Sequence, residues 1–351
     1  MKKSIFTVFR HSAAVALIAA SIAGLGLFTP QGASAASSQG TLRILATTYP
    51  VYLLARNVVQ NRPGAQVDLL IPAQTGCPHD YALTPKDMQK LAQADVLLLN
   101  GLGLDDFMQK ALPNAKPGLA VVDSSAGITP VMEADGEEDE HQEAADGHDG
   151  HEHAAVSHEQ EKSGHDHAHE HGHVHDHGGV NPHAFASPVQ AGIMVKNMAD
   201  GLAKADPQHV ATYEANAQAY GKVLANLGER LATLGNKSSN KGIALMHDAL
   251  VYMARDGGLE VVAVIQENEE AQPSAARLLK VAEVLREHKP ALIASEPQYS
   301  DKAVQTLSRE VGIPAAQLDS LASGPADPSL DHYEKTMNNN INILEKYFEP
   351  R

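Results

Sequence analysis

Residues 208–234 read QHVATYEANAQAYGKVLANLGERLATL, and the spacing of their apolar side chains decides the fold. These side chains recur every three to four positions, which is the period of an amphipathic α-helix. The positions are Tyr213, Ala217, Tyr220, Val223, Leu224, Leu227 and Leu231. A helix of this length would span about 40 Å, so it could join two halves of the molecule rigidly. The helical pattern begins at residue 188 and is interrupted once, at Asp206-Pro207.

On both sides of this helical region, strand-like segments alternate with helical ones. Before it, strands are predicted at 41–48, 66–71, 95–100 and 119–123, and helices at 51–59, 85–94 and 104–111. After it, strands are predicted at 242–246, 259–265, 291–294 and 317–319, and helices at 249–255, 274–288, 301–311 and 330–348. Such alternation is typical of parallel sheets covered by helices. The predicted class is α/β, with two parallel-sheet lobes joined by one long rigid helix.

The predicted boundaries follow from this pattern. We assign residues 1–35 to a signal peptide, 41–187 to an N-terminal lobe, 188–235 to the linking helical region and 241–351 to a C-terminal lobe. The signal peptide prediction rests on three early positive charges, an apolar run over 13–28 and the small residues Ala33-Ser34-Ala35. The apolar run is short and interrupted, and the cleavage site has no cysteine for a lipid anchor. We therefore expect a soluble protein of the periplasm.

An insertion at 131–180 interrupts the N-terminal lobe with histidine and acidic residues. It contains twelve of the chain's 19 histidines, and its 15 acidic residues against the single Lys162 give a net charge of −14. Such a composition cannot build an apolar core, so we expect disorder without metal. Alternating imidazoles and carboxylates favour an accessory zinc collector, and a passive solvated loop is the alternative. The acidic charge argues against nucleic acid or an anionic membrane as a partner.

Three histidines outside the insertion each lie after a predicted strand: His79, His183 and His247. Ligands of open α/β sheets bind beyond the carboxyl ends of the strands, so these imidazoles could converge between the lobes. Spacing alone leaves a metal site and unrelated structural histidines equally open. The separations exclude a zinc finger, and no His-Glu-x-x-His motif occurs. The only cysteine, Cys77, excludes an internal disulfide and is interpreted as a small, half-buried residue.

Several motifs together resemble the zinc-binding receptors of bacterial ABC importers, the ZnuA type, over the whole chain after the signal peptide. They are ATTYP from residue 46, PHDYALTPKDMQKLAQAD from 78, NGLGLDDFM from 100, NPHAF from 181, HDAL from 247, ASEPQYS from 294 and LDSLA from 318. The resemblance implies that metal lies in the cleft between the lobes. It implies His79, His183 and His247 as ligands, with Asp319 as the fourth; a water or a histidine of the insertion are alternatives to Asp319.

Three nitrogens and at most one oxygen suit tetrahedral Zn²⁺, whereas oxygen-rich sets suit manganese. The chain departs from some relatives, because Pro78 stands where they have Glu and the lobe disulfide is missing. Asp248, directly after His247, is interpreted either as an orienting acceptor for the imidazole or as a turn residue.

The resemblance implies a monomeric, non-enzymatic receptor that delivers zinc to an inner-membrane ABC permease. The rival hypotheses are a receptor for Mn²⁺ or another divalent metal, a zinc-dependent hydrolase, and a periplasmic metal buffer without a permease.

Overall fold

The computed structural model describes residues 41–76, 78, 81–132, 179–266 and 272–348. The predicted signal peptide, Cys77, His79 and almost all of the histidine-rich insertion lie outside these described residues. Within them, no helix is both long enough and apolar enough to cross a membrane.

The first sheet has four parallel strands in the order β2-β1-β3-β4. The strands are β1 (Leu42–Ala46), β2 (Ala65–Leu69), β3 (Val96–Leu99) and β4 (Ala120–Asp123), with helices α1 (Tyr49–Val59) and α2 (Pro85–Gln93) between them. Ile44 of β1 pairs with Val67 on one side and Val96 on the other, so β1 is central. Thr84 caps α2: Asp87 N donates to Thr84 Oγ1, and Thr84 N donates to the Asp87 carboxylate.

The second sheet repeats this topology, with four parallel strands in the order β6-β5-β7-β8. Its elements are β5 (Gly242–Leu245), α6 (Val251–Asp256), β6 (Glu260–Val264), α7 (Ala275–His288), β7 (Leu292–Ser295), α8 (Lys302–Val311), β8 (Ala315–Gln317) and α9 (His332–Phe348). The predicted fold class is confirmed: the chain forms two parallel-sheet α/β lobes with flanking helices. Because parallel strands share one direction, the loops after β1, β3, β5 and β7 gather at the carboxyl edges of the two sheets.

The helical region between the sheets is a hairpin followed by one short helix. Its helices are α3 (Pro188–Ala205), α4 (Val210–Ala232) and the four-residue α5 (Leu234–Lys237). The break falls at Asp206 and Pro207, as predicted, and α4 is about 35 Å long. α4 packs against α3 and also contacts α1, α6 and α9. The apolar face that the sequence pattern identified is therefore the face that helices of both lobes cover.

One large apolar cluster extends through both halves of the molecule. It includes Ile44 and Leu98 of the first sheet, Leu245 and Leu292 of the second, and Tyr213 of α4, all nearly inaccessible to solvent. Two smaller clusters lie on the outer faces of the sheets. Since the inner faces share one core, a movement that separates the sheets would expose apolar surface, which is unfavourable.

Two predicted elements differ from the structure. The helix expected at 104–111 is replaced by the 3₁₀ turns Asp106–Met108 and Leu112–Asn114. Asp105, inside the predicted helix, has the non-helical angles φ −99° and ψ 17°, and its carboxylate accepts from Gly101 N. The strand expected at 317–319 ends at Gln317. Asp319 is not part of this strand, because its backbone N–H and C=O are hydrogen-bonded to the side chain of Asn340 in α9.

Candidate metal centre

His183 lies in a buried loop immediately before α3. It precedes the 3₁₀ turn Ala184–Ala186, and only 1% of its surface is exposed. Its backbone N donates to Asn181 Oδ1 at 2.9 Å, and its ring Nδ1 lies 3.1 Å from the same oxygen. The edge of the Phe185 ring packs against the imidazole, with centroids 5.8 Å apart. Both the backbone and the ring of His183 are therefore held by neighbours in its own loop.

His247 follows β5 at the carboxyl edge of the second sheet and begins the 3₁₀ turn Asp248–Leu250. The backbone N of Ala249 donates to His247 Nδ1 at 3.2 Å. The Tyr299 ring lies beside the imidazole, with centroids 5.4 Å apart. The position of His247 after a parallel strand follows from the local sequence, in which an apolar strand gives way to a short turn.

The structure brings His183 and His247 together. Their rings have centroids 5.5 Å apart and cross at 84°. One carboxylate joins them, because Asp248 Oδ1 lies 3.3 Å from His247 Nδ1 and 3.6 Å from His183 Nδ1. Each of the three residues offers one potential ligand atom, and these three atoms all lie within 4.8 Å of one another. Two imidazoles and one carboxylate form a donor set that suits a divalent transition metal.

Asp248 was not among the residues predicted to bind metal directly. Its carboxylate contacts the Nδ1 atoms of both rings, which fits the orienting role that the sequence left open. A carboxylate beside Nδ1 of His183 favours a hydrogen on that nitrogen and leaves Nε2 for a metal, whereas Nδ1 of His247 accepts from Ala249 N. The Asp248 carboxylate is also close enough to the two imidazoles to bind the same ion directly.

The fourth predicted ligand, Asp319, lies outside this three-residue group. It follows β8, and its Oδ1 accepts from Leu321 N at 2.8 Å and from Gln298 Nε2 at 3.2 Å. The side chain lines a cavity of about 300 Å³, bounded also by Pro297, Gln317, Lys335, Thr336 and Asn339. Burial raises the pKa of the Tyr49 hydroxyl to about 12, and the charge of Asp319 adds to the shift. Asp319 is therefore half-buried and electrostatically close to the first lobe, and its role as a ligand stays a prediction.

His79 lies outside the described residues, but the loop that leads to it is described. Gly324 N donates to Ala73 O at 2.9 Å, and Gln74 Nε2 donates to Gly324 O at 3.2 Å. Gly324 belongs to the segment that follows Asp319, so these bonds join the loop before His79 to the second lobe. The ligand role of His79 stays a prediction.

Sequence reasoning missed one residue that contacts the centre, Asn181. Its amide touches His183 and also donates to the carbonyl oxygen of Asp248 at 3.1 Å. The available signal was the Asn-Pro-His order itself, in which the amide lies two residues before the ligand candidate and can fold back on it.

Comparison with known proteins agrees with this architecture. The family described as zinc-uptake complex component A, periplasmic, matches residues 44–347. The high-affinity zinc uptake system protein ZnuA of Bacillus subtilis (strain 168) is 32% identical over 301 residues, covering 86% of this chain and 84% of that protein. The zinc-binding lipoprotein AdcA of Streptococcus pneumoniae (strain ATCC BAA-255 / R6) is 29% identical over 333 residues, covering 95% of this chain but 59% of AdcA.

A solved structure shares the fold. The solute-binding protein FpvC of Pseudomonas aeruginosa, in complex with Ni²⁺, superposes with a TM-score of 0.67 and 28% identity, covering 88% of this chain and 96% of FpvC. The family matches nearly all of the described residues, and one relative is more than 30% identical. These two findings decide the classification. The chain belongs to the zinc-uptake complex component A family of solute-binding proteins.

Proposed function

We propose that this protein is an extracytoplasmic zinc receptor, which binds Zn²⁺ in the cleft between its two lobes and delivers it to an inner-membrane ABC permease. The observation that carries the proposal is the group of His183, His247 and Asp248, in which the adjacent His247 and Asp248 lie 64 and 65 positions after His183 in the chain. The relatives ZnuA and AdcA are named for zinc uptake and zinc binding, which supports the choice of ion.

The proposed ligand set is His79, His183 and His247, with Asp319 as the fourth ligand. Imidazole nitrogen is a good donor for zinc and a poor one for manganese, so a histidine-rich set favours zinc. The burial of His183 and His247 supports tight binding, because ligands that are already ordered lose little entropy when the ion arrives. We infer capture and release of an ion, with no chemical step and with the monomer as the working unit.

The compartment and the histidine-rich insertion complete the proposal. We place the protein in the periplasm, in accord with the sequence of residues 1–35 and with the name of the family. We assign the insertion as an accessory collector that holds zinc weakly near the cleft. Its two ends support this assignment: Met132 and Val180 form an antiparallel bridge, and Asn181 N donates to Val131 O at 2.8 Å. The insertion is thereby rooted within a few residues of His183.

A specific observation favours a second metal as an alternative cargo. The related structure of FpvC contains Ni²⁺, and imidazole-rich sites bind nickel and copper as well as zinc. Selection among these ions would then depend on coordination geometry and on the metal available in the compartment.

The test is a metal competition titration on the full-length mature chain. A chelator of intermediate affinity keeps weak sites empty, and Zn²⁺, Mn²⁺, Co²⁺ and Ni²⁺ are compared. We expect one tight zinc site in the wild type and its loss in a His183→Ala, His247→Ala double variant. His288→Ala, an exposed histidine at the end of α7, is the matched control and should bind as the wild type does. A double variant that retains the tight site would overturn the proposal.

A further inference from the structure

We propose that Asn181 is a positioning residue that presets the cleft before metal arrives. It fixes which nitrogen of His183 faces the ion, and it ties the His183 loop to the His247 loop. The consequence for zinc rests on the proposed function, whereas the effect on the apo protein does not. Asn181 is fully buried, with 0% of its surface exposed.

The orientation of the Asn181 amide is determined by two backbone partners, one of which can only donate a hydrogen bond and the other only accept one. The backbone N–H of His183, which can only donate, lies 2.9 Å from Oδ1. The backbone carbonyl of Asp248, which can only accept, lies 3.1 Å from Nδ2. A flipped amide would set a donor against a donor and an acceptor against an acceptor, so only one orientation satisfies both contacts.

This orientation determines the tautomer of His183. Its Nδ1 lies 3.1 Å from the same Oδ1 of Asn181, which is an acceptor. A neutral imidazole carries one hydrogen, and it must therefore be on Nδ1 so that it can donate to Asn181. Nε2 is left with the lone pair that a metal requires.

The same amide links segments that are far apart in sequence. Through Nδ2 it holds the carbonyl of Asp248, the residue directly after His247. The backbone of Asn181 is fixed as well, because Tyr252 OH donates to Asn181 O at 2.8 Å and Asn181 N donates to Val131 O at 2.8 Å. Asn181 therefore cannot shift without disturbing the turn that presents His247.

The residue between Asn181 and His183 is also held. The side-chain amide of Asn100, itself fully buried at the end of β3, donates to Pro182 O at 3.0 Å. The loop is thus restrained at each of its three positions, and the His183–His247 pair is expected to keep its geometry in the absence of metal. Removing a group that orients a metal-binding histidine typically lowers metal affinity about 10- to 100-fold.

The first test is direct. Nitrogen NMR of the imidazoles in the metal-free, full-length mature chain reports the tautomer of each histidine, and the His183 signal is identified by its loss in His183→Ala. We expect the hydrogen of neutral His183 on Nδ1. Finding it on Nε2 would overturn the proposal, whether or not the Asn181 variants fold and whether or not the protein binds zinc.

The second test uses two variants and a matched control. Asn181→Ala removes both contacts, and we expect mixed His183 tautomers and zinc binding about 10- to 100-fold weaker. Asn181→Asp keeps the acceptor for His183 but loses the donor to Asp248, so we expect the tautomer to be retained and zinc binding to be weakened. Asn216→Ala removes an amide that donates to Val58 O and Gln60 O, neither of which belongs to the metal centre, and should leave zinc binding and the His183 tautomer unchanged.

The outcomes separate the two proposals. If Asn181→Ala folds and keeps both the wild-type tautomer and the wild-type zinc affinity, the positioning role of Asn181 is wrong while the zinc receptor stands. If the wild type binds no zinc and His183 still carries its hydrogen on Nδ1, the receptor proposal is wrong while the structural role of Asn181 stands.

Discussion

The side-chain amide of Asn340 pairs with both backbone groups of Asp319. Asp319 N donates to Asn340 Oδ1 at 3.0 Å, and Asn340 Nδ2 donates to Asp319 O at 2.7 Å. Asn340 is fully buried in α9, so the C-terminal helix sets the position of the loop that carries the proposed fourth ligand. The Asp319 carboxylate bonds the backbone of Leu321, which has a φ of +64° and turns the chain.

The first prediction concerns Asp319 as a ligand. In Asp319→Asn the amide oxygen still accepts from Leu321 N, so the loop should keep its shape. An amide is a much poorer zinc donor than a carboxylate, and we expect zinc affinity to fall at least about tenfold, measured by competition with a chelator. Asp327→Asn, an exposed position in the same loop region, is the control. Unchanged affinity in Asp319→Asn would assign the fourth position to another group.

The second prediction concerns the carboxylate shared by the two histidines. Asp248→Asn replaces one charged oxygen near both Nδ1 atoms by a neutral group, and we expect zinc binding to weaken about 10- to 100-fold. Calorimetric titration measures the change. Asp200→Asn neutralises a carboxylate in an exposed pair with Lys196 and should bind zinc normally. Equal affinities in the two variants would show that Asp248 is only a turn residue.

The third prediction concerns a buried carboxyl group at the end of the first sheet. Burial raises the pKa of Asp105 to about 6, against 3.8 for the unperturbed group, although Gly101 N donates to it. Below the unfolded pKa, Asp105 is protonated in both states. As pH rises from the unfolded pKa to about 6, the unfolded chain ionises Asp105 while the folded protein does not, so stability falls over this range and the loss is complete above it.

Asp105→Asn should therefore gain stability relative to the wild type between pH 4 and pH 7, by up to about 3 kcal/mol. Urea unfolding at the two pH values measures the change. Asp106→Asn removes a charge from the same turn and is the control. A stability difference for Asp105→Asn that does not vary with pH would contradict the prediction.

The fourth prediction separates backbone strain from steric overlap. Gly101 and Gly118 have nearly the same φ, +87° and +85°, so alanine at either position has the same unfavourable backbone conformation, which costs about 1 kcal/mol. A Cβ at Gly101 would lie 2.1 Å from Asp123 Oδ1, whereas one at Gly118 meets nothing within 4 Å.

We expect Gly101→Ala to lower the free energy of unfolding by at least about 2 kcal/mol more than Gly118→Ala does. Denaturant titration of both variants measures the difference. Equal losses would mean that Asp123 moves aside without cost.

The fifth prediction concerns the histidine-rich insertion. Because Met132 and Val180 are bridged, residues 133–178 can be replaced by a short glycine linker without separating the flanking chain. We expect the shortened protein to keep one tight zinc site and to lose several weaker ones, since ligands on a chain that must become ordered bind less tightly. Calorimetry that gives the same stoichiometry before and after the deletion would contradict the collector hypothesis.

The sequence by itself determined the α/β class, the break at Asp206 and the placement of His247 after a strand. These features are local: hydrophobic periodicity, a proline and a strand-to-turn junction act within a few residues, so they can be recognised without knowing the rest of the fold. The same reasoning failed at 104–111, where the backbone conformation of Asp105 and the hydrogen bond from Gly101 N to its carboxylate outweigh helical spacing.

Only the tertiary structure decided how the centre is held. The hydrogen bond from Asn181 to Asp248 joins residues 67 positions apart, and the one from Asn340 to Asp319 joins helix and loop across 21 positions. Asp248 reaches both imidazoles because the first lobe's loop meets the second sheet at that point. Contacts of this kind depend on where distant segments of the chain come together, which no periodicity in the sequence predicts. Their positions are set when α3, α4 and α9 pack with both sheets around one shared core.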